Sequence, residues 1–178
     1  MVLKNKNFKL SEGINDYNIK DPVTSKVKEF YQESPFPNYK INDNKHTILQ
    51  AGNNNWLMNE LKKFIGFNKL LLEVGSGTCQ LSNYLAIGTN NQIYAFDGTF
   101  QSLKLGKEFA EKNNIQNVSF VRGDIFDKIF EDEVFDFVWC NGVLHHTKNP
   151  YEAFKCIIPC LKKNGYIFRM YSSRSLHF

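Results

Sequence analysis

A chain of 178 residues, 42% hydrophobic and 15% aromatic, holds enough apolar material for one α/β domain and demands no second. Its formal net charge of +4 comes from lysines scattered among asparagines, with no basic block, so no obligate nucleic-acid partner is implied. No apolar run approaches the roughly 20 residues that span a bilayer, and residues 1–10 lack the apolar segment of a signal peptide, which predicts a cytoplasmic protein.

Residues 1–22 are polar, rich in asparagine and lysine and weakly periodic, and read as a lead-in. After Pro22, the spacing of Val23, Val27, Phe30 and Tyr31 predicts a short amphipathic helix over residues 23–33. Residues 30–39, Phe-Tyr-Gln-Glu-Ser-Pro-Phe-Pro-Asn-Tyr, then set four aromatics around two prolines, a stiff segment unable to join a sheet interior. Tyr31, Phe36 or Tyr39 can cover a cationic ligand, or the aromatics can pin the turn to the core. Residues 40–52 read as loop, so residues 1–52 form a lead-in with an aromatic lid segment and residues 53–178 the core domain.

Trp56, Leu57, Leu61, Phe64 and Ile65 predict a helix that stops at Gly66. The stretch that follows organises the chain. Leu70-Leu71-Leu72-Glu73-Val74 reads as a strand buried on both faces, and Gly75-Ser76-Gly77 forces a tight turn into a helix beginning near Cys79. Free N–H groups at such a junction suit a nucleotide-like ligand. Gln80, however, stands where a dinucleotide turn wants its third glycine, and the Glu73 carboxylate repels phosphate while welcoming an ammonium or sulfonium. Glu-Val-Gly-Ser-Gly-Thr, residues 73–78, resembles the first motif of the class I S-adenosylmethionine-dependent methyltransferases.

Residues 92–96 predict a second strand closing at Asp97-Gly98, about two dozen residues after Glu73, where a carboxylate can accept both hydroxyls of an adenosyl ribose. That spacing suits NAD as well as S-adenosylmethionine. Thr99 opens a helix carrying Leu103, Leu105, Phe109 and Ala110, and residues 118–121 make a third strand. At its tip, Asp124 can accept from an adenine amino group while Ile125 packs on the ring, because strand ends on one side of a parallel sheet converge on a single crevice.

The fourth strand, residues 135–140, runs into Asn141-Gly142-Val143-Leu144-His145-His146. Phe-Asp-x-Val-x-x-x-x-Val-Leu-His-His, with Pro150 soon after, resembles the fourth motif of small-molecule methyltransferases in the same superfamily. The resemblance implies that backbone near Asn141 and Gly142 holds the methionine end of the cofactor and that the next residues face the acceptor. His145 or His146 can then serve as a general base, or the pair can simply shape the pocket. Residues 151–161 predict a helix distorted by Pro159, residues 162–165 its end, and residues 166–171 a fifth strand.

The resemblance covers residues 56–171 and implies a three-layer Rossmann-like sheet with helices on both faces. Two further strands, an antiparallel hairpin beside the fifth, are expected from the family and are missing before Phe178. An open strand bearing Tyr166, Phe168 and Met170 predicts self- or hetero-association. Cys79, Cys140, Cys156 and Cys160 have no metal-ligand spacing and read as buried thiols, so no metal is expected. The reading is a methyltransferase acting on a small molecule; the alternatives are a non-catalytic cofactor-fold subunit that binds a partner through its open edge, and an NAD-dependent oxidoreductase.

Overall fold

The computed structural model describes residues 2–4, 8–17, 19 and 37–170. Its elements are β1 (Lys9–Ser11), β2 (Ile14–Asp16), α1 (Lys45–Asn54), α2 (Trp56–Ile65), β3 (Leu70–Val74), α3 (Gln80–Ala86), β4 (Gln92–Asp97), α4 (Phe100–Lys112), β5 (Val118–Arg122), β6 (Phe135–Asn141), α5 (Pro150–Ile157) and β7 (Leu161–Met170). The strands form one sheet in the order β1-β2-β5-β4-β3-β6-β7. Only β1 runs antiparallel to its neighbour; the other pairs are parallel. The chain moves outward from β3 through β4 to β5, then returns to the other side of β3 as β6, so strand order reverses there and a crevice opens at the strand tips.

The β3 leucines explain why that strand is central. Leu71 packs with Leu61, Ile65, Tyr84 and Trp139 on one face, while Leu72 and Val74 pack with Val121, Val138, Ala153 and Ile157 on the other. Both faces are therefore apolar, as a parallel strand between helix layers requires. On α2 the inward stripe is Leu61 and Ile65, whereas Trp56 and Phe64, expected inside, are 77% and 60% exposed.

Two stretches depart from the sequence reading. Within the expected lead-in, β1 and β2 form a hairpin on the β5 edge. Its two-residue loop is Glu12-Gly13, both at positive φ (49° and 76°), the twist that favours tight hairpins. Ile14 anchors it, fully buried beside Ala95, Leu103 and Phe120. Within the expected loop lies α1, started by a reciprocal cap: the Asn44 side chain accepts from the Thr47 N–H and Thr47 Oγ1 accepts from the Asn44 N–H. Ile48 is its one buried residue, too few to mark a helix by periodicity.

At the far edge, Pro159 ends α5 in a 3-10 turn, as expected. Register then jumps from Phe135↔Leu161 to Phe137↔Tyr166, so residues 162–165 form an excursion inside β7 where a helix end is predicted. The helix expected over residues 23–33, with Tyr31 and Phe36, lies outside the described residues.

Candidate functional site

A cavity of about 740 Å³ opens at the carboxyl ends of β3, β4, β5 and β6, within the 300–1,000 Å³ usual for small-ligand sites. Its walls include Glu73, Gly75, Ser76, Gly77, Asp97, Gly98, Asp124, Ile125, Asn141, Gly142 and His146. Of the cofactor-binding and catalytic candidates named from the sequence, His145 alone does not line it.

The glycine turn is held from behind by β4. Gly75 and Ser76 donate their N–H groups to the Phe96 carbonyl at 2.8 and 3.1 Å. Gly75 sits at φ 71°, and a Cβ there would overlap Val143 Cγ2, so the absent side chain is what lets the loop after β6 close over the turn. Gln80, in the place of a third glycine, also faces the cavity.

Three carboxylates face this rim, each oriented by backbone. Asp97 Oδ2 accepts from the Gly77 N–H at 2.9 Å and Oδ1 from the Thr99 N–H at 2.7 Å, which ties the tip of β4 to the glycine turn. Asp124, 6% exposed, accepts from the Phe126 N–H at 3.1 Å and caps the 3-10 turn Ile125–Asp127. Glu73 Oε2 accepts from both the N–H and the hydroxyl of Ser82, fastening β3 to the first turn of α3. Burial pushes the Glu73 carboxyl from 4.5 up to about 7; the Ser82 hydrogen bonds oppose that shift and the charge of Asp97 adds to it.

The opposite wall comes from the loop after β6 and from α1 and α2. His145 and His146 lie with ring centroids 4.0 Å apart. His146 is exposed as a residue, but partial desolvation of its ring, and secondly the charge of His145, holds the imidazole below its ordinary proton affinity, which favours the neutral, proton-accepting form near pH 7. Lys148 stands at this wall with its ammonium 4.9 Å from the Phe126 ring centroid. Ile48, Ala51, Met58, Leu81 and Trp139 supply apolar lining. The sequence does not mark this wall: residues 40–52 read as loop where α1 begins, and Trp139, in a buried strand, reads as core.

Tyr39 is a pin rather than a cover. Its hydroxyl donates to the Thr78 carbonyl at 2.9 Å and accepts from Asn83 Nδ2 at 2.9 Å, and its ring stacks on Phe109 at 4.3 Å. Thr78 Oγ1 and Gln80 Nε2 donate in turn to the carbonyls of Pro37 and Asn38, which straps residues 37–39 across the start of α3. Among the described residues no three His, Cys, Asp or Glu side chains are grouped to hold a metal ion, the four cysteines are unpaired, and no helix is long and apolar enough to cross a membrane.

Residues 72–169 match the family model described as a methyltransferase domain. The chain is 26% identical over 136 residues to ribosomal RNA small subunit methyltransferase G of Prochlorococcus marinus (strain MIT 9515), covering 72% of this chain and 56% of that protein. It is 28% identical over 107 residues to the ubiquinone biosynthesis O-methyltransferase of Glaesserella parasuis serovar 5 (strain SH0165), covering 57% and 44%. The chain thus spans about half the length of these curated relatives. In fold it is similar to phosphoethanolamine N-methyltransferase 1 of Haemonchus contortus, solved with phosphoethanolamine and S-adenosylhomocysteine, at a TM-score of 0.62 and 18% identity over 82% of this chain and 31% of that one.

Proposed function

The chain belongs to the methyltransferase-domain family within the class I S-adenosylmethionine-dependent superfamily, and from that premise we propose that it transfers a methyl group from S-adenosylmethionine to a small-molecule acceptor. The observation that carries this reading is the convergence of Glu73, the glycine turn, Asp97, Asp124 and Asn141 on one cavity. The residues present fit the cofactor. Asp97, held rigid by two N–H groups, has the geometry to accept the ribose hydroxyls beside Gly98; Asp124 and Ile125 take the adenine; Asn141 and Gly142 take the amino-acid end; and Glu73 with Gly75, Ser76 and Gly77 seats the methionine part beside a buried carboxyl.

S-adenosylmethionine supplies a methyl on a sulfonium whose displacement leaves a neutral thioether, so no acid is needed for the leaving group. The protein's work is alignment, together with removal of a proton when the acceptor carries one. His146, neutral and on the acceptor wall, is the residue assigned to take that proton, and the adjacent His145 ring helps keep it uncharged.

Two features favour a small acceptor. The α1–α2 wall is apolar, and among the described cavity residues only Lys148 carries a fixed positive charge, whereas a nucleic-acid substrate is held through many phosphate contacts. The relatives named above act on ribosomal RNA in one case and in ubiquinone biosynthesis in the other, and the wall resembles what the second kind of substrate requires. Calorimetry with S-adenosylhomocysteine against NADH is the test: saturable binding of the first alone is expected, and binding of NADH alone overturns the reading in favour of an oxidoreductase. Methyl label transferred from S-adenosylmethionine to an ultrafilterable product supports the small acceptor, and label on RNA overturns it.

A second reading, a non-catalytic subunit, is favoured by one observation. Tyr166 on β7 and Phe64 on α2 meet edge to face at 4.9 Å yet are each 60% exposed, on the strand that ends the sheet among the described residues. Cofactor binding without transfer, together with stable hetero-association that Tyr166→Lys abolishes, would select it.

A further inference from the structure

The β1–β2 hairpin is joined to the turn at the rim of the cofactor cavity by a part-buried charge pair. In the β2–β5 register Asp16 lies opposite Arg122, and the Tyr17 N–H donates to the Arg122 carbonyl at 3.0 Å. Arg122 Nη1 donates to Asp16 Oδ2 at 2.9 Å, with the two side chains only 19% and 14% exposed. From the same guanidinium, Nε donates to the Gly98 carbonyl at 3.3 Å, and Cζ lies 6.0 Å from the Phe100 ring centroid. Arg122 also pairs with Asp97 in the β4–β5 register, and the Gly123 N–H donates to the Asp97 carbonyl at 3.1 Å. One planar guanidinium therefore spans the hairpin and the turn that follows the ribose-facing carboxylate. A guanidinium tethered at one end by a carboxylate presents its other N–H groups in a fixed direction.

We propose that the N-terminal hairpin is a working part of the adenosine site: Asp16 orients Arg122, Arg122 holds the Gly98 carbonyl, and the Asp97–Gly98 turn is thereby set for the ribose. Asp16 and Arg122 are positioning residues, since neither lines the cavity. The proposal rests on the cofactor reading given above and extends it to a carboxylate 106 positions in sequence from the arginine that it orients. The hairpin's second ion pair, Lys104 with Glu12 at 2.7 Å, is exposed and does not touch the cavity rim, which makes it an internal control.

The test compares S-adenosylhomocysteine with its 2′,3′-dideoxyribose analogue by calorimetry on the full chain. Asp16→Asn weakens S-adenosylhomocysteine roughly tenfold, the scale of a misplaced contact, but the dideoxy analogue by about twofold or less. Asp16→Glu recovers most of the loss, Arg122→Lys reproduces it because a lysine cannot span both partners, and Glu12→Gln changes neither ligand. Circular dichroism and thermal melting identify any variant that has not folded, in which case Asp16→Glu and Arg122→Lys carry the comparison. An equal loss for both ligands shows general loosening and overturns the proposal, as does an unchanged affinity in Asp16→Asn while the unaltered chain binds. Failure of the unaltered chain to bind S-adenosylhomocysteine overturns the cofactor reading itself, and this proposal with it.

Discussion

The two walls of the cavity are built by different means. On the cofactor wall every carboxylate is committed to backbone or hydroxyl donors before any ligand arrives: Asp97 to Gly77 and Thr99, Asp124 to Phe126, Glu73 to Ser82. On the proposed acceptor wall His146 and Lys148 are exposed, Asn55 and Thr147 are the other polar side chains, and most of the rest is apolar: Ile48, Ala51, Met58, Leu81 and Trp139. The first wall is pre-organised for one fixed molecule. The second is a shape, tunable by exchanging Ile48, Ala51 or Met58 without disturbing the first.

If that division is real, substitutions should separate along it. The most damaging is Gly75→Ala, at the point where the walls touch: positive φ and the overlap with Val143 together cost about 4 kcal/mol, read from urea unfolding. Val143→Ala should return part of this loss in the double variant; strict additivity of the two would mean that the walls do not meet there.

Next comes Glu73. Its folded-state carboxyl titrates near 7 against 4.5 as the reference, so the folded protein holds a proton that the unfolded chain has released between those values. Stability from this group is present at and below pH 4.5, falls as pH rises towards 7 and levels off above, a change of about 3 kcal/mol. Glu73→Gln keeps an oxygen for Ser82 and should remove that slope; an unchanged difference between pH 4.5 and pH 7.5 would show that the carboxyl is not desolvated.

His146→Ala, on the acceptor wall alone, should lower methyl transfer roughly a hundredfold, the low end for general acid–base catalysis, and leave S-adenosylhomocysteine affinity within about twofold. The acid limb of the unaltered enzyme's kcat profile should lie below 6.5, because burial and His145 disfavour the imidazolium. The converse variant, Asp97→Asn, should weaken S-adenosylhomocysteine roughly tenfold through loss of a charge-assisted hydrogen bond. Its kcat at saturation should hold; a fall in kcat of similar size would merge the walls into one catalytic unit.

The same division governs what could be read from the letters. Leu70 to Val74 announces itself as a doubly buried strand, and the acids at the tips of successive parallel strands must converge, so Glu73, Asp97 and Asp124 are found without coordinates. The acceptor wall depends on α1, whose signature is the pair Asn44 and Thr47 instead of a serine followed by a glutamate, with Ile48 alone buried. A three-residue strand such as β2 escapes periodicity altogether: Asn15 and Asp16 are polar, and Ile14 by itself sets no period. Between His145 and His146 the letters cannot choose, since the direction of each ring is set by the 3-10 turn Leu144–His146, which begins with a buried leucine.

The hairpin on the β5 edge has a consequence for biosynthesis. Asp16 leaves the ribosome 106 residues ahead of the arginine it grips, which at about 5–20 residues per second is a wait of roughly 5–20 s. Its own turn closes in microseconds, so β1 and β2 are made and then wait until β5 arrives to pair with β2 and bring Phe120 against Ile14. With Asp16 orienting Arg122 as proposed, adenosine recognition is acquired only after β5 is made, and a chaperone that covers β1 and β2 during that interval would raise the yield of binding-competent protein.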